Sequence, residues 1–135
     1  MIRADWSEDP RADNVVTSDA AERALLGCLL LDPGLVHHVD GIAPETFRSK
    51  DRAAVWRAIA EMIEDAEPVD FITTAARLEA SVTPPPKGSP GWLSVLSSVL
   101  DGNYCADAEE VAAYARIVKE AGQRRRLAAL QRERQ

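Results

Sequence analysis

The chain has 135 residues, enough for one compact domain and too few for two. Hydrophobic residues make up 46% of it and aromatic residues only 5%, a balance that favours helices over sheets. The net charge of −6 excludes a general attraction to nucleic-acid phosphates, so we expect little or no direct DNA binding. No segment has the apolar length of a signal peptide or membrane span, and the two cysteines form no motif. We therefore expect a cytoplasmic protein without membrane contact.

The first predicted helix carries the most apolar stretch of the chain. Residues 1–16 are polar and charged, and we expect them to form a mobile leader. Ser18 or Asp19 is predicted to cap the helix, with Glu22 in its first turn. Pro33 ends it. Because its second half is apolar nearly all round, several neighbouring helices should bury it.

Four further helical segments are predicted in the middle of the chain. They are a short helix ending at Gly41, a helical turn at 44–47, a helix over 50–65 capped by Ser49, and a helix over 71–80 capped by Asp70. The polar side of the third segment, which includes Arg52, is expected to face solvent.

A proline-rich stretch separates these segments from the last two helices. Residues 81–91 contain three consecutive prolines, which favour a stiff, extended loop, although such a run can also be a ligand for a partner. A helix over 91–100 follows, and Asp107 caps a long final helix that begins at Ala108. The domain is predicted to span 17–122. Residues 123–135 would be the end of the long exit helix.

Motifs of known catalytic sites are missing from the sequence. There is no Gly-x-x-x-x-Gly-Lys-Ser/Thr phosphate loop and no Gly-x-Gly-x-x-Gly after a strand. No serine, cysteine or threonine has a recognisable base beside it, and no residues have the spacing of metal ligands. We therefore predict no cofactor, no metal and no catalytic residue. The residues alone indicate an all-helical binding module.

Six segments, in order and in approximate spacing, resemble the amino-terminal region of the replicative DnaB-type helicases. They are A-E-R-A-L-L-G-C-L-L-L-D-P (21–33), P-E-T-F (44–47), D-R-A-A-V-W-R-A-I-A-E-M (51–62), E-P-V-D-F-I-T-T-A-A-R-L-E (67–79), G-W-L-S-V-L (91–96) and Y-A-R-I-V-K-E (114–120), followed by R-R-L (125–127). Each segment alone is weak evidence for the family. The occurrence of all six in the family's order makes the resemblance specific.

The resemblance implies an all-α fold: a compact bundle of about six helices with a long carboxy-terminal helix. In that family the domain forms a collar above the hexameric motor ring. It contacts other helicase subunits and a DnaG-type primase or a helicase loader. The family's RecA-like motor domain hydrolyses ATP and is missing here, so the resemblance implies a non-catalytic protein-interaction domain of DNA replication. The alternative is a stand-alone phage or plasmid regulatory module that joins or modulates a full-length helicase.

The predicted partner-binding residues lie on the last two helices. They are Trp92, Tyr114, Ile117, Val118, Arg124, Arg125, Arg126 and Leu127. Trp92 matches the tyrosine of a Tyr-Leu pair in the family, and a partly exposed ring there would anchor a partner. On that hypothesis Trp92→Ala weakens partner binding more than folding. The alternative, that Trp92, Tyr114 and Val118 fill the core, is equally open. In the family the exit helix packs against a second helix in a hairpin that pairs subunits, and only the first arm is expected here. The resemblance implies contact with other helicase subunits or self-association.

Overall fold

Helices account for all the regular structure in the part of the chain that the structure describes. The structure is a computed structural model that describes residues 10–100 and 107–133, with side chains from residue 16 onwards. The elements are α1 (Pro10–Leu31), a 3₁₀-helix (Pro33–His38), a second 3₁₀-helix (Pro44–Thr46), α2 (Lys50–Glu64), α3 (Phe71–Ala80), α4 (Trp92–Leu100) and α5 (Ala108–Glu133). The described residues contain no strand, and the predicted all-α fold is confirmed.

Helix α1 lies at the centre of the bundle, as its apolar sequence predicted. Leu25, Leu26 and Leu29 are completely buried, and α1 packs against α2, α4 and α5. The predicted helix start is wrong, however, because α1 begins at Pro10 and runs through Ser18. Proline suits the first turn of a helix, and no second proline interrupts the chain before Pro33. The later part of the predicted leader is thus helical, and residues 1–9 lie outside the described residues.

The predicted helix caps are confirmed at three other positions. Ser49 Oγ accepts a hydrogen bond from the amide of Asp51 at 3.1 Å, at the start of α2. Asp70 and Thr73 form a reciprocal capping box at the start of α3, with distances of 2.8 and 2.9 Å. Asp107 Oδ1 accepts the amide three residues later at 2.9 Å. Local side-chain chemistry therefore decides where these helices begin.

The proline-rich connection between α3 and α4 is anchored at both ends. Trp92 Nε1 donates a 2.7 Å hydrogen bond to the carbonyl oxygen of Thr83, and Ser89 Oγ donates one of 2.7 Å to the carbonyl oxygen of Pro86. Such bonds limit the conformations of a segment that three prolines already stiffen. Both hydrogen bonds favour the interpretation of this stretch as a rigid loop.

Candidate interaction site

A buried carboxylate joins α1 to the start of α2. Glu22 is completely buried, and its Oε2 accepts the backbone amide of Arg48 at 2.8 Å. Its Oε1 accepts Arg52 Nε at 2.7 Å, and Arg52 also contacts Asp19 through Nη2. The side chain of Arg52 is 17% exposed, so its predicted position on a solvated face is wrong. The hydrogen bond from Arg48 and the ion pair with Arg52 hold the segment that leads into α2 against α1. The buried carboxylate requires such partners, because an unpaired buried charge is strongly destabilising.

Helix α5 also contacts the segment that leads into α2. We call this segment, residues 44–49, the connecting segment. Arg125 Nη2 donates a 2.6 Å hydrogen bond to the carbonyl oxygen of Thr46. Thr46 Oγ1 in turn accepts the amide of Ala43 at 3.0 Å. Gly122 allows this approach, because a Cβ at that position would lie 3.1 Å from the Thr46 carbonyl oxygen. The connecting segment is therefore clamped between α1 and α5.

Arg125 is a half-buried cation whose hydrogen-bond acceptor, the Thr46 carbonyl, is neutral. Burial lowers the pKa of the Arg125 guanidinium, nearby Glu22 opposes this, and Arg48 adds to it. Arginine nevertheless keeps its charge at physiological pH. A positive charge thus lies beside the connecting segment without direct contact to a carboxylate in the described part of the chain.

A groove of about 620 Å³ runs between α5 and residues 41–46. Its polar lining includes Glu45, Lys119, Gln123, Arg125 and Arg126. The aliphatic part of Lys119 lies over Gly41, where a Cβ would come within 3.0 Å of Lys119 Cδ. Gly41 has φ +73°, a left-handed conformation that favours glycine. The two glycines therefore allow close contacts at the groove, of Lys119 with Gly41 and of Thr46 with Gly122.

The expectation of a partly exposed ring at Trp92 is wrong. Its side chain is only 1% exposed, and its indole nitrogen is occupied by the Thr83 carbonyl. Val118 is also completely buried, so the alternative of core packing is correct for both residues. Tyr114 is half-buried, and burial raises the pKa of its hydroxyl, with a smaller contribution from the negative charge of Glu110. The Tyr114 hydroxyl is therefore neutral at physiological pH.

The structure divides the remaining predicted site residues between opposite sides of α5. Ile117, Arg124 and Leu127 follow one another at spacings of seven and three, which places them on one side of the helix. Lys119, Gly122 and Arg126 have the spacing i, i+3 and i+7, and they line the groove on another side. Ile117 is half-buried, whereas Arg124, Arg126 and Leu127 are exposed.

The prediction from sequence did not identify Glu22, Thr46 or Lys119 as part of a site. One pattern could have identified Glu22, because it lies one helical turn before Leu26 and two before Leu29 on an apolar face. A charged residue on a buried face requires a partner of opposite charge. Nothing in the local sequence links Thr46 to α5, since that contact joins residues 79 positions apart.

We expect Gly122→Ala to lower the free energy of unfolding by about 1 kcal/mol, although alanine is the better helix former. The new methyl group would meet the Thr46 carbonyl oxygen at 3.1 Å, and Arg125 holds that carbonyl in place. Urea denaturation measures the change. Gln123→Ala, at the exposed neighbouring position, is the control and should be neutral or slightly stabilising. A stabilising Gly122→Ala would contradict the tight approach of α5 to the connecting segment.

The fold and the site define an all-helical domain whose surface carries a cationic groove and exposed leucines. Among the described residues, no group of three or more histidines, cysteines and acidic residues could hold a metal ion. In the same residues, no helix has both the length and the apolar character needed to cross a membrane.

Comparison with known proteins identifies the family. The model of the DnaB-like helicase N-terminal domain matches residues 16–120, and the chain therefore belongs to that family. The replicative DNA helicase DnaB of Geobacillus stearothermophilus is 35% identical over 108 residues, which cover 79% of this chain. The match spans only 23% of that relative's length. The crystal structure of the N-terminal domain of DnaB helicase from Mycobacterium tuberculosis has a TM-score of 0.73 at 26% identity, covering 84% of this chain and 80% of that one.

Proposed function

We propose that this chain is a non-catalytic collar domain of a replicative DNA helicase. It mediates subunit assembly and contact with a DnaG-type primase or a helicase loader. Membership of the DnaB-like N-terminal domain family supports the proposal. The observation that carries it is the exposed end of α5. Its last buried residue is Ala121, whereas Leu127 and Leu130 beyond it are 59% and 46% exposed.

These exposed leucines suit contact with a partner protein. Apolar side chains three positions apart on a helix form a stripe that another helix can cover. Leu127 lies on the same side of α5 as Arg124 and Ile117, so one surface offers apolar contact and a charge-assisted hydrogen bond together. Trp92 and Val118 are buried in the core and are therefore not part of this surface.

The proposal assigns no catalytic step to this chain. The sequence carries no phosphate-binding loop, and the chain spans only 23% of the length of the DnaB relative that it matches. ATP hydrolysis and strand separation are therefore assigned to another part of the helicase. The net charge of −6 opposes direct DNA binding, and the proposed place of action is the cytoplasm.

The test is the affinity of the chain for a DnaG-type primase and for a full-length replicative helicase from the same source. We expect the double variant Arg124→Glu with Leu127→Asp to weaken at least one of these contacts by about tenfold or more. Isothermal titration calorimetry measures the affinities.

A matched control uses the same two changes elsewhere on the surface. Arg57 on α2 is exposed, and Leu93 on α4 is 47% exposed, so Arg57→Glu with Leu93→Asp should leave both affinities unchanged. Equal losses in the two double variants would contradict the proposed surface. Binding to the helicase alone, with a change in its oligomeric mass, would favour the alternative of a module that joins or modulates a complete helicase.

A further inference from the structure

The groove between α5 and residues 41–46 contains positive charge that the described residues leave without a partner. Within that part of the chain, no carboxylate lies within 4.0 Å of a nitrogen of Lys119, Arg125 or Arg126. Arg125 uses one nitrogen for a neutral carbonyl, and a guanidinium has five N–H donors. Such cations in an acidic chain indicate a site for negative groups from another molecule.

The positions of these cations are fixed by their surroundings. Lys119 is half-buried with its stem against Gly41, and Arg125 is half-buried against the connecting segment. A side chain already held in place loses less rotamer freedom when it binds a ligand. The groove therefore differs from a row of solvated surface cations.

We propose that this groove binds the carboxylate groups of an acidic peptide segment of a partner protein. Lys119 and Arg126 on the same side of α5 contact the carboxylates, and the remaining donors of Arg125 extend the site inward. The Gln123 side chain, also in the lining, can hydrogen-bond the peptide backbone.

The lining favours an acidic peptide over a nucleic acid. No aromatic ring lines the groove, whereas single-stranded nucleic acids bind largely by stacking their bases on aromatic side chains. Glu45 also lies in the lining and would repel a regular row of phosphates. A peptide can leave a gap between its carboxylates opposite Glu45.

This inference goes beyond the proposed function, because it concerns a different side of α5 from Arg124 and Leu127. Each proposal can fail without the other. Loss of binding by the Arg124 and Leu127 variants tests the primase or helicase contact. The groove is tested with the free peptide described next.

The experiment measures binding of a fluorescein-labelled peptide of alternating glutamate and glycine to the full chain by fluorescence anisotropy. We expect saturable binding, which an acidic protein cannot achieve by general attraction. Arg126→Glu, an exposed position, and the milder Lys119→Gln should each weaken binding by about tenfold. Arg132→Glu makes the same charge reversal farther along α5, outside the groove lining, and should weaken binding by about twofold or less.

Three results would overturn the proposal. One is no saturable binding of the glutamate–glycine peptide to the unaltered chain. Another is an equal loss in Arg126→Glu and Arg132→Glu, which would show a general charge effect. The third is tighter binding of an oligothymidylate of matched charge, which would assign the groove to nucleic acid. Thermal melting of each variant confirms that it is folded before its binding is compared.

Discussion

Replacing Glu22 by alanine is expected to lower the free energy of unfolding by about 3 kcal/mol, the largest effect of a single charged residue in this domain. The change removes the acceptor of the Arg48 amide and the acceptor of Arg52 Nε, which lie 2.8 and 2.7 Å from its oxygens. Arg52 keeps Asp19 as a partner, which limits the loss. Urea denaturation followed by circular dichroism measures the change.

The loss is a large share of the roughly 5–15 kcal/mol by which a small domain is stable. The matched comparison is Arg77→Ala, which breaks more ion pairs but on the surface. Arg77 contacts Glu61, Asp65 and Glu67, and all three carboxylates are exposed. Water replaces such contacts, so Arg77→Ala should change stability much less than Glu22→Ala. Similar losses in the two variants would contradict the buried role of Glu22.

Trp92→Ala is expected to lower the free energy of unfolding by about 4 kcal/mol, because it empties the volume of the largest completely buried side chain. It also removes the donor of the 2.7 Å hydrogen bond to the Thr83 carbonyl, which holds the proline-rich loop. Trp92→Phe keeps most of the apolar volume and loses the donor, so a smaller loss of about 1–2 kcal/mol is expected.

The neighbouring residue provides the control for Trp92. Leu93 lies next to it on α4 but is 47% exposed, so Leu93→Ala should change the free energy of unfolding by no more than about 0.5 kcal/mol. Partner binding by folded Trp92→Phe should equal that of the unaltered chain. Weaker binding without a loss of stability would restore the hypothesis that Trp92 contacts a partner.

The sequence predicted the helices well because their ends depend on local chemistry. The caps at Ser49, Asp70 and Asp107 act through side chains two or three residues from the amides they bind. The burial of α1 followed from its apolar residues alone. Six ordered segments also predicted the family, which the comparison confirms.

The contacts that shape the candidate site could not be predicted in the same way. Glu22 pairs with Arg52 across 30 positions, and Arg125 reaches Thr46 across 79. No periodicity within one helix encodes such pairs, so the sequence places Glu22 in the first turn of a helix without indicating its partner. The burial of Trp92 could not be predicted for the same reason, because it depends on how the preceding loop packs against the ring.

The most direct test of the account is the mass of complexes formed by the unaltered chain. Size-exclusion chromatography with light scattering would be applied to the chain mixed with a DnaG-type primase and, separately, with a full-length replicative helicase from the same source. We expect a complex with at least one of them, whose mass includes this chain, and no ATP hydrolysis by the chain alone. Separate elution from both, or ATP hydrolysis by the isolated chain, would contradict it.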